Sequence, residues 1–187
     1  MRAQRVAMAG VIAAVYGALT FLVIQFGSVL SYGIIQFRVS EALTVVALLT
    51  PAAAPGLMIG SALANLASVA SFGALGVLDV VFGSLATLLG ALWSWRFRRN
   101  TPLALLGPVI CNAIIVPAYL PLMLGASGLT TIPALGITAS SSWPVLYGAG
   151  VLGVGIGEAA VVYGLGWPLL TALRRMRLPG IEAEARP

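Results

Sequence analysis

The sequence predicts an all-α membrane protein, a six-transmembrane-helix bundle with both termini in the cytoplasm. Three observations carry this. Hydrophobic residues make up 60% of the 187-residue chain and charged residues 8%, with a mean hydropathy of +1.04. Fifteen charges cannot clothe a soluble surface, whereas lipid tolerates so apolar an exterior. The apolar residues fall into successive runs separated by short breaks. All ten basic residues are Arg, and nine of them lie near the N-terminus, in one short loop or near the C-terminus.

The first run, Val6–Phe26, is 21 residues. That is long enough to cross a bilayer and too long for the ~7–15-residue apolar region of a secretory signal. A Gly/Ser/Tyr-containing stretch, Gly27–Gln36, leads to a second span at about Phe37–Leu49. Thr50-Pro51 and Pro55-Gly56 mark a tight break, because Pro ends helices and Gly readily follows them. The third span is expected from Gly56 to about Ser71, and the fourth from about Val77 to Trp95, with Gly73 and Gly76 bracketing the turn. The second and third runs fall short of the ~20 apolar residues of a perpendicular helix. Phe37–Ser71 is therefore either two short helices or one span with a re-entrant piece.

Arg96–Pro102 is the clearest loop. The fifth span, about Leu103–Leu124, contains Pro108, Pro117 and Pro121, so kinks or an early end are expected. Gly125–Pro144 reads as a long loop with a re-entrant or short helical portion, and Val145–Leu173 as the sixth span. Six spans place Arg2 and Arg5, the Arg96–Arg99 loop, and Arg174, Arg175, Arg177 and Arg186 on one side, the cytoplasm. Five would put one cluster outside. Trp143 and Tyr147 then mark the outer interface, and Trp93 and Trp95 the inner one. One domain covers residues 1–177, and the polar tail 178–187 is expected to be disordered.

The same features exclude function classes. Terminal and loop Arg clusters are the positive-inside pattern and not a nucleic-acid-binding stripe. There is no His and only one Cys, Cys111, so histidine catalysis, the usual zinc sites and an intramolecular disulfide are ruled out. Cys111 is expected to be buried and inert. The chain has no Lys and hence no Walker-type Gly-Lys-Ser/Thr loop, so any ATP drive must come from another polypeptide. No nucleophile–base pair stands out for an intramembrane enzyme.

Arg38, Glu41, Asp79 and Glu158 stand in or at the edge of spans, where charge is expensive and must face the bundle interior. Arg38 and Glu41, at i and i+3, share a face. They form an intrahelical ion pair or part of a binding site. Asp79 at the external end of the fourth span either caps that helix or contributes to the site. Glu158 lies roughly 16 Å in from Tyr147 at 1.5 Å per residue. Asn112 reaches a similar depth on the preceding span, so carboxylate and amide form a plausible pocket floor. Carboxylates outnumber arginines three to one here, which favours a ligand rich in hydrogen-bond donors or positively charged, or else a protonated carboxyl. In the first helix Ala9, Ala13 and Gly17 repeat at i+4, with Gly10, Ala14 and Ala18 as a second row. Small residues at this spacing serve packing within the bundle or a docking face for a partner.

Four segments carry a family resemblance: Ile35-Gln-Phe-Arg-Val-Ser-Glu-Ala-Leu-Thr44, Leu78-Asp-Val-Val-Phe-Gly-Ser-Leu-Ala-Thr-Leu-Leu89, Pro108-Val-Ile-Cys-Asn112 and Gly155-Ile-Gly-Glu158. In order and spacing the chain resembles the QueT family, substrate-binding S components of energy-coupling factor (ECF) transporters. The Gln-Phe-Arg-Val-Ser-Glu string is the most specific part.

The resemblance implies a six-helix membrane bundle that captures a queuosine precursor, a 7-deazaguanine, from outside. It implies no cofactor in this chain, a partner membrane scaffold (T) subunit and two ATP-binding subunits that use the ATP. It makes Ala9, Ala13 and Gly17 the scaffold-docking row, and Glu158, Asn112, Glu41, Arg38 and Asp79 the substrate-site candidates. A guanine-like edge offers paired N–H donors that one carboxylate accepts, Glu158 or Glu41 first. Phe37 and Trp143, with Tyr32 and Phe72, are candidates for stacking. The rival readings are an S component for another vitamin-like heterocycle and a self-sufficient proton- or sodium-coupled transporter. The latter calls for inverted repeats or matching broken helices, and no convincing internal repeat is found.

Overall fold

The computed structural model describes residues 2–25, 37–127, 137–138 and 140–176. Every regular element among them is helical. In order they are α1 (Arg2–Gln25), a 3-10 helix (Val39–Leu48), α2 (Ala53–Phe72), two single turns (Gly73–Leu75 and Gly76–Leu78), a π-helical turn (Asp79–Gly83), α3 (Ser84–Arg96), α4 (Thr101–Ser127), α5 (Trp143–Val161), a second π turn (Val162–Gly166) and α6 (Trp167–Arg175). The expected external loop Gly27–Gln36, half of Gly125–Pro144 and the tail from Leu178 lie outside the described residues.

Four helical runs are long and apolar enough to cross a membrane: Ala3–Gln25, Ala53–Arg96, Thr101–Gly125 and Trp143–Arg175. The second is 44 residues, about 66 Å if straight, or twice a bilayer core. It folds back at Gly73, whose φ of 60° lies in the left-handed region that glycine occupies without steric cost. Gly76 then sits on the Ser68 backbone, where a side chain would collide. The run thereby supplies two passes, α2 and α3, that pack on each other.

The second expected span is corrected. Val39–Leu48 is 10 residues of 3-10 helix with eight of them buried, and it touches α1, α2, α3, α4, α5 and α6. It is the axle of the bundle. A helix enclosed by protein need not be ~20 residues long, because it never meets the lipid thickness by itself. Thr44 Oγ1 donates to the Glu41 carbonyl at 2.6 Å, three residues back, in keeping with the tighter winding.

The third span also begins earlier than expected, at Ala53, so Pro55 falls within the first helical turn, where no intrahelical partner awaits its missing N–H. The break lies at Leu49–Ala52, where Thr50 Oγ1 accepts the Ala52 N–H at 3.2 Å.

The prolines of the fifth span do not end it. Thr101–Ser127 runs through Pro108, Pro117 and Pro121. Pro108 leaves the Ala104 carbonyl without its i+4 donor, and Ser94 Oγ from α3 supplies one at 2.8 Å. In the last run, Pro168 cannot donate to Gly164, and the ladder slackens there into the π turn Val162–Gly166.

The surface is apolar, with Val6, Val11, Leu63, Ile114, Leu152 and Ile156 among its exposed residues, while Ser61, Thr44, Ser68, Thr87 and four charged side chains are buried. This inversion of a soluble protein is what a lipid solvent selects. Helix contacts rely on small residues. A Cβ on Gly56 would stand 2.6 Å from the Ala9 carbonyl oxygen, and one on Gly60 2.8 Å from that of Ala13. Backbone-to-backbone approach of α1 and α2 therefore requires glycine at both positions. The loop after α3 is anchored by the Arg98 guanidinium, 4.0 Å above the Trp95 ring.

Candidate functional site

The buried polar side chains form a chain that starts near the Gly73 hairpin and runs to the middle of the bundle. At the hairpin end, Arg38 Nη2 donates to both carboxylate oxygens of Asp79 at 3.0 Å. Ser68 Oγ of α2 donates to Asp79 Oδ2 at 2.6 Å, and Tyr119 Oη of α4 to Oδ1 at 2.7 Å. Asn65 Nδ2 holds the Asp79 carbonyl at 2.8 Å. The carboxylate is 1% exposed by residue, so this burial is compensated by a cation and two hydroxyls. Asp79 is thus neither a solvent-facing helix cap nor an open ligand acceptor.

Gly83, at the close of the π turn, makes room for this cluster. A Cβ there would lie 2.8 Å from Asn65 Nδ2, 2.8 Å from Asp79 Oδ1 and 3.1 Å from Tyr119 Oη.

One turn deeper is Glu41, wholly buried on the 3-10 helix. Its Oε1 accepts from Tyr16 Oη of α1 at 2.5 Å and from Thr87 Oγ1 of α3 at 3.0 Å. The sequence pairing of Arg38 with Glu41 is corrected here: the ion pair formed among the described residues joins Arg38 to Asp79. The reason is the 3-10 winding, which starts at Val39 and leaves Arg38 outside the helix, with a ψ of 89°. Glu41 Oε2 is buried without a hydrogen-bond partner.

Glu158 stands near the midpoint of the 33-residue Trp143–Arg175 run. Asn112 Nδ2 of α4 donates to its Oε1 at 3.1 Å and to the Pro108 carbonyl, also at 3.1 Å. The Glu158 carboxyl lies within hydrogen-bonding reach of the Glu41 carboxyl and within electrostatic reach of Arg38. Arg38, Glu41, Asp79, Asn112 and Glu158, from four elements with Arg38 at the start of the 3-10 helix, are therefore brought into one connected interior.

The aromatic candidates are not. Phe37 is half-exposed beside Arg38, and Trp143 is exposed and stacked on Tyr147 with ring centroids 5.0 Å apart. Phe72 packs on the apolar cluster of Val116, Leu120 and Met123. Tyr32 lies outside the described residues. Cys111 is partly buried, contrary to the expectation of full burial.

Sequence reasoning missed Tyr16, Ser68, Thr87 and Tyr119, which supply the donors to Glu41 and Asp79. Tyr16 had a signal, lying four residues before Thr20 on the inner face of α1, where Thr20 Oγ1 donates to Ser40 at 2.7 Å. Asn65 holds the π turn through the Asp79 carbonyl. The Ala9/Ala13/Gly17 row is engaged within the chain, since Ala9 and Ala13 carry the backbone on which Gly56 and Gly60 rest. The row left exposed is Gly10, Ala14 and Ala18.

A family model described as QueT transporter matches residues 6–175, which includes every side chain of this interior. No curated protein and no solved structure matches the chain. Lipid-matched helices around a charged interior accord with a transport role and a multi-pass membrane location, and by a match that spans nearly its whole length the chain belongs to the QueT transporter family.

Proposed function

We propose that the protein is the substrate-capture (S) component of an ECF-type importer and binds a queuosine precursor, a 7-deazaguanine such as the 7-cyano or 7-aminomethyl base or queuine, from outside the cell. One observation carries the reading beyond family membership: a charged, hydrogen-bonded interior closed in by lipid-facing helices retains an unfilled acceptor, Glu41 Oε2, beside Glu158. A guanine edge brings two adjacent N–H donors, which a carboxylate accepts as a pair. Glu41 and Glu158 are the ligand-facing carboxyls in this reading. Asp79, already taken by Arg38, Ser68 and Tyr119, orders the site from behind. Phe37 and Trp143 stand outside this interior, so in this reading they stack only on a ligand approaching from the outer side.

The reading includes six membrane-inserted helices with both termini cytoplasmic, the central Val39–Leu48 helix counted as the second. Import energy comes from ATP hydrolysed by two partner subunits through a membrane scaffold subunit docked on α1. With Ala9 and Ala13 turned toward α2, that contact falls to Gly10, Ala14 and Ala18. Single-cysteine labelling from outside tests the orientation: position 74 at the Gly73 hairpin reacts in intact cells and position 99 does not, and the reverse pattern sinks it.

Thermal stabilisation of the purified protein tests the substrate. A ligand at a hundredfold excess over its Kd stabilises by about 2.7 kcal/mol, roughly 5–11 °C for a chain of this size. A shift with deazaguanines but not with a panel of vitamins is expected. A vitamin shift without a deazaguanine shift keeps the importer and sinks the substrate. Uptake that proceeds without ATP-hydrolysing partners would move the protein to the ion-coupled class.

A further inference from the structure

Among the described residues the interior holds one cation and three carboxyl groups. Arg38 is the cation; its Nη2 donates to both Asp79 oxygens at 3.0 Å, and its charge also reaches Glu41 and Glu158. That leaves Glu41 and Glu158 facing each other from the 3-10 helix and α5. The other side chains turned toward the pair from each packed element carry no formal charge. They are Tyr16 from α1, Ser61 from α2, Thr87 from α3, and Asn112 and the Cys111 thiol from α4, while Asn65 and Tyr119 bond to Asp79.

Glu41 Oε1 has two donors, whereas Oε2, with no exposure, has none. The group within reach of Glu41 across the bundle is a second acceptor. Two carboxylates in contact repel unless a donor lies between them, and an unpaired buried charge costs several kcal/mol. A single proton shared by the pair supplies the donor and removes one charge, the arrangement that like-charged carboxyls adopt in one site.

We propose that Glu41 and Glu158 form a two-carboxyl clamp that holds one proton while the site is empty and exchanges that proton for a cationic nitrogen of the ligand. The inference rests on the importer reading above and sharpens its substrate class to bases bearing a protonated amine. The exchange balances: the ammonium arrives with its three hydrogens, the O–H bond between the carboxyls breaks, and its proton leaves to external water. Both carboxylates then accept N–H bonds from the ammonium. A neutral analogue of the same shape keeps the shared proton in place.

Calorimetry of the full chain in nanodiscs tests this, using 7-aminomethyl- and 7-cyano-7-deazaguanine at pH 5.5, 6.5 and 7.5 in two buffers of different ionisation heat. The clamp gives one proton released per aminomethyl ligand and none per cyano ligand. Release of one proton makes the aminomethyl affinity rise about tenfold per pH unit by linkage, while the cyano affinity stays flat. In Glu158→Gln the remaining carboxylate binds the cation with no proton released and no pH slope. Zero release by the aminomethyl ligand, or equal release by both, overturns the clamp and leaves the importer reading intact.

If neither deazaguanine produces heat, the substrate assignment falls, and the clamp is judged without ligand. The empty protein must then show the infrared carbonyl band of a protonated carboxyl, lost in Glu158→Gln. Its absence from the wild type refutes the shared proton.

Discussion

Replacing Gly83 with alanine should harm this protein, although the same change in an open helix helps. Helix propensity alone favours alanine over glycine by about 1 kcal/mol. At Gly83 the added methyl would lie 2.8 Å from Asn65 Nδ2 and from Asp79 Oδ1, well inside ordinary contact. Overpacking costs about 1–3 kcal/mol. A shift that relieves it pulls Asn65 from the Asp79 carbonyl or Tyr119 from the Asp79 carboxylate, and the latter bond, to a charged group, is worth about 1.5–3 kcal/mol. Net of propensity, the loss is about 2–4 kcal/mol, a fall in Tm of roughly 5–15 °C at this chain length.

The control is Gly10→Ala. Nothing stands within 4 Å of a Cβ at that position, so the change should be neutral or stabilising by up to about 1 kcal/mol. The assay is thermal unfolding of both variants in one detergent, followed by tryptophan fluorescence. A Gly83→Ala protein as stable as Gly10→Ala would refute the view that the π turn exists to gather Asn65, Asp79 and Tyr119 around a bare backbone.

Asp79→Asn takes the anion from the buried Arg38 and should destabilise by about 3–5 kcal/mol, read by the same melt; a loss under 1 kcal/mol would mean that the pair is not buried as described. Ser94→Ala leaves the Ala104 carbonyl without its donor at a cost of about 1–3 kcal/mol. The cost should vanish when Pro108→Ala restores the helical N–H, and a double-mutant cycle with no coupling counts against this role for Ser94. Gly60→Val drives α1 from α2 and with it Tyr16 from Glu41. The expected result is weaker ligand binding as well as a lower Tm, and unchanged binding would separate α1 from the site. Tyr16→Phe removes only the 2.5 Å donor to Glu41; a change in deazaguanine affinity of less than twofold would show that this bond does not position the carboxyl.

Composition and the placement of Arg determined the solvent of this protein by themselves, because transfer of apolar area and of charge is a sum over residues that needs no coordinates. The Gly73 turn was legible for a similar reason, since the sequence marks local backbone geometry with glycine. Singling out Glu41, Asp79, Asn112 and Glu158 followed from the cost of ionisable and amide groups in lipid, which holds whatever their partners. What the partners are was decided only by the tertiary structure.

Periodicity placed Arg38 with Glu41, but the 3-10 winding of Val39–Leu48 sent one toward Asp79 and the other toward Tyr16 and Thr87. That short helix could be ten residues long because protein encloses it on every side. Pro108 could sit in mid-helix because Ser94, on another helix, satisfies the carbonyl it frees. Each depends on contacts between residues distant in the chain, and pattern within one segment carries no information about the neighbour that will complete its hydrogen bonds.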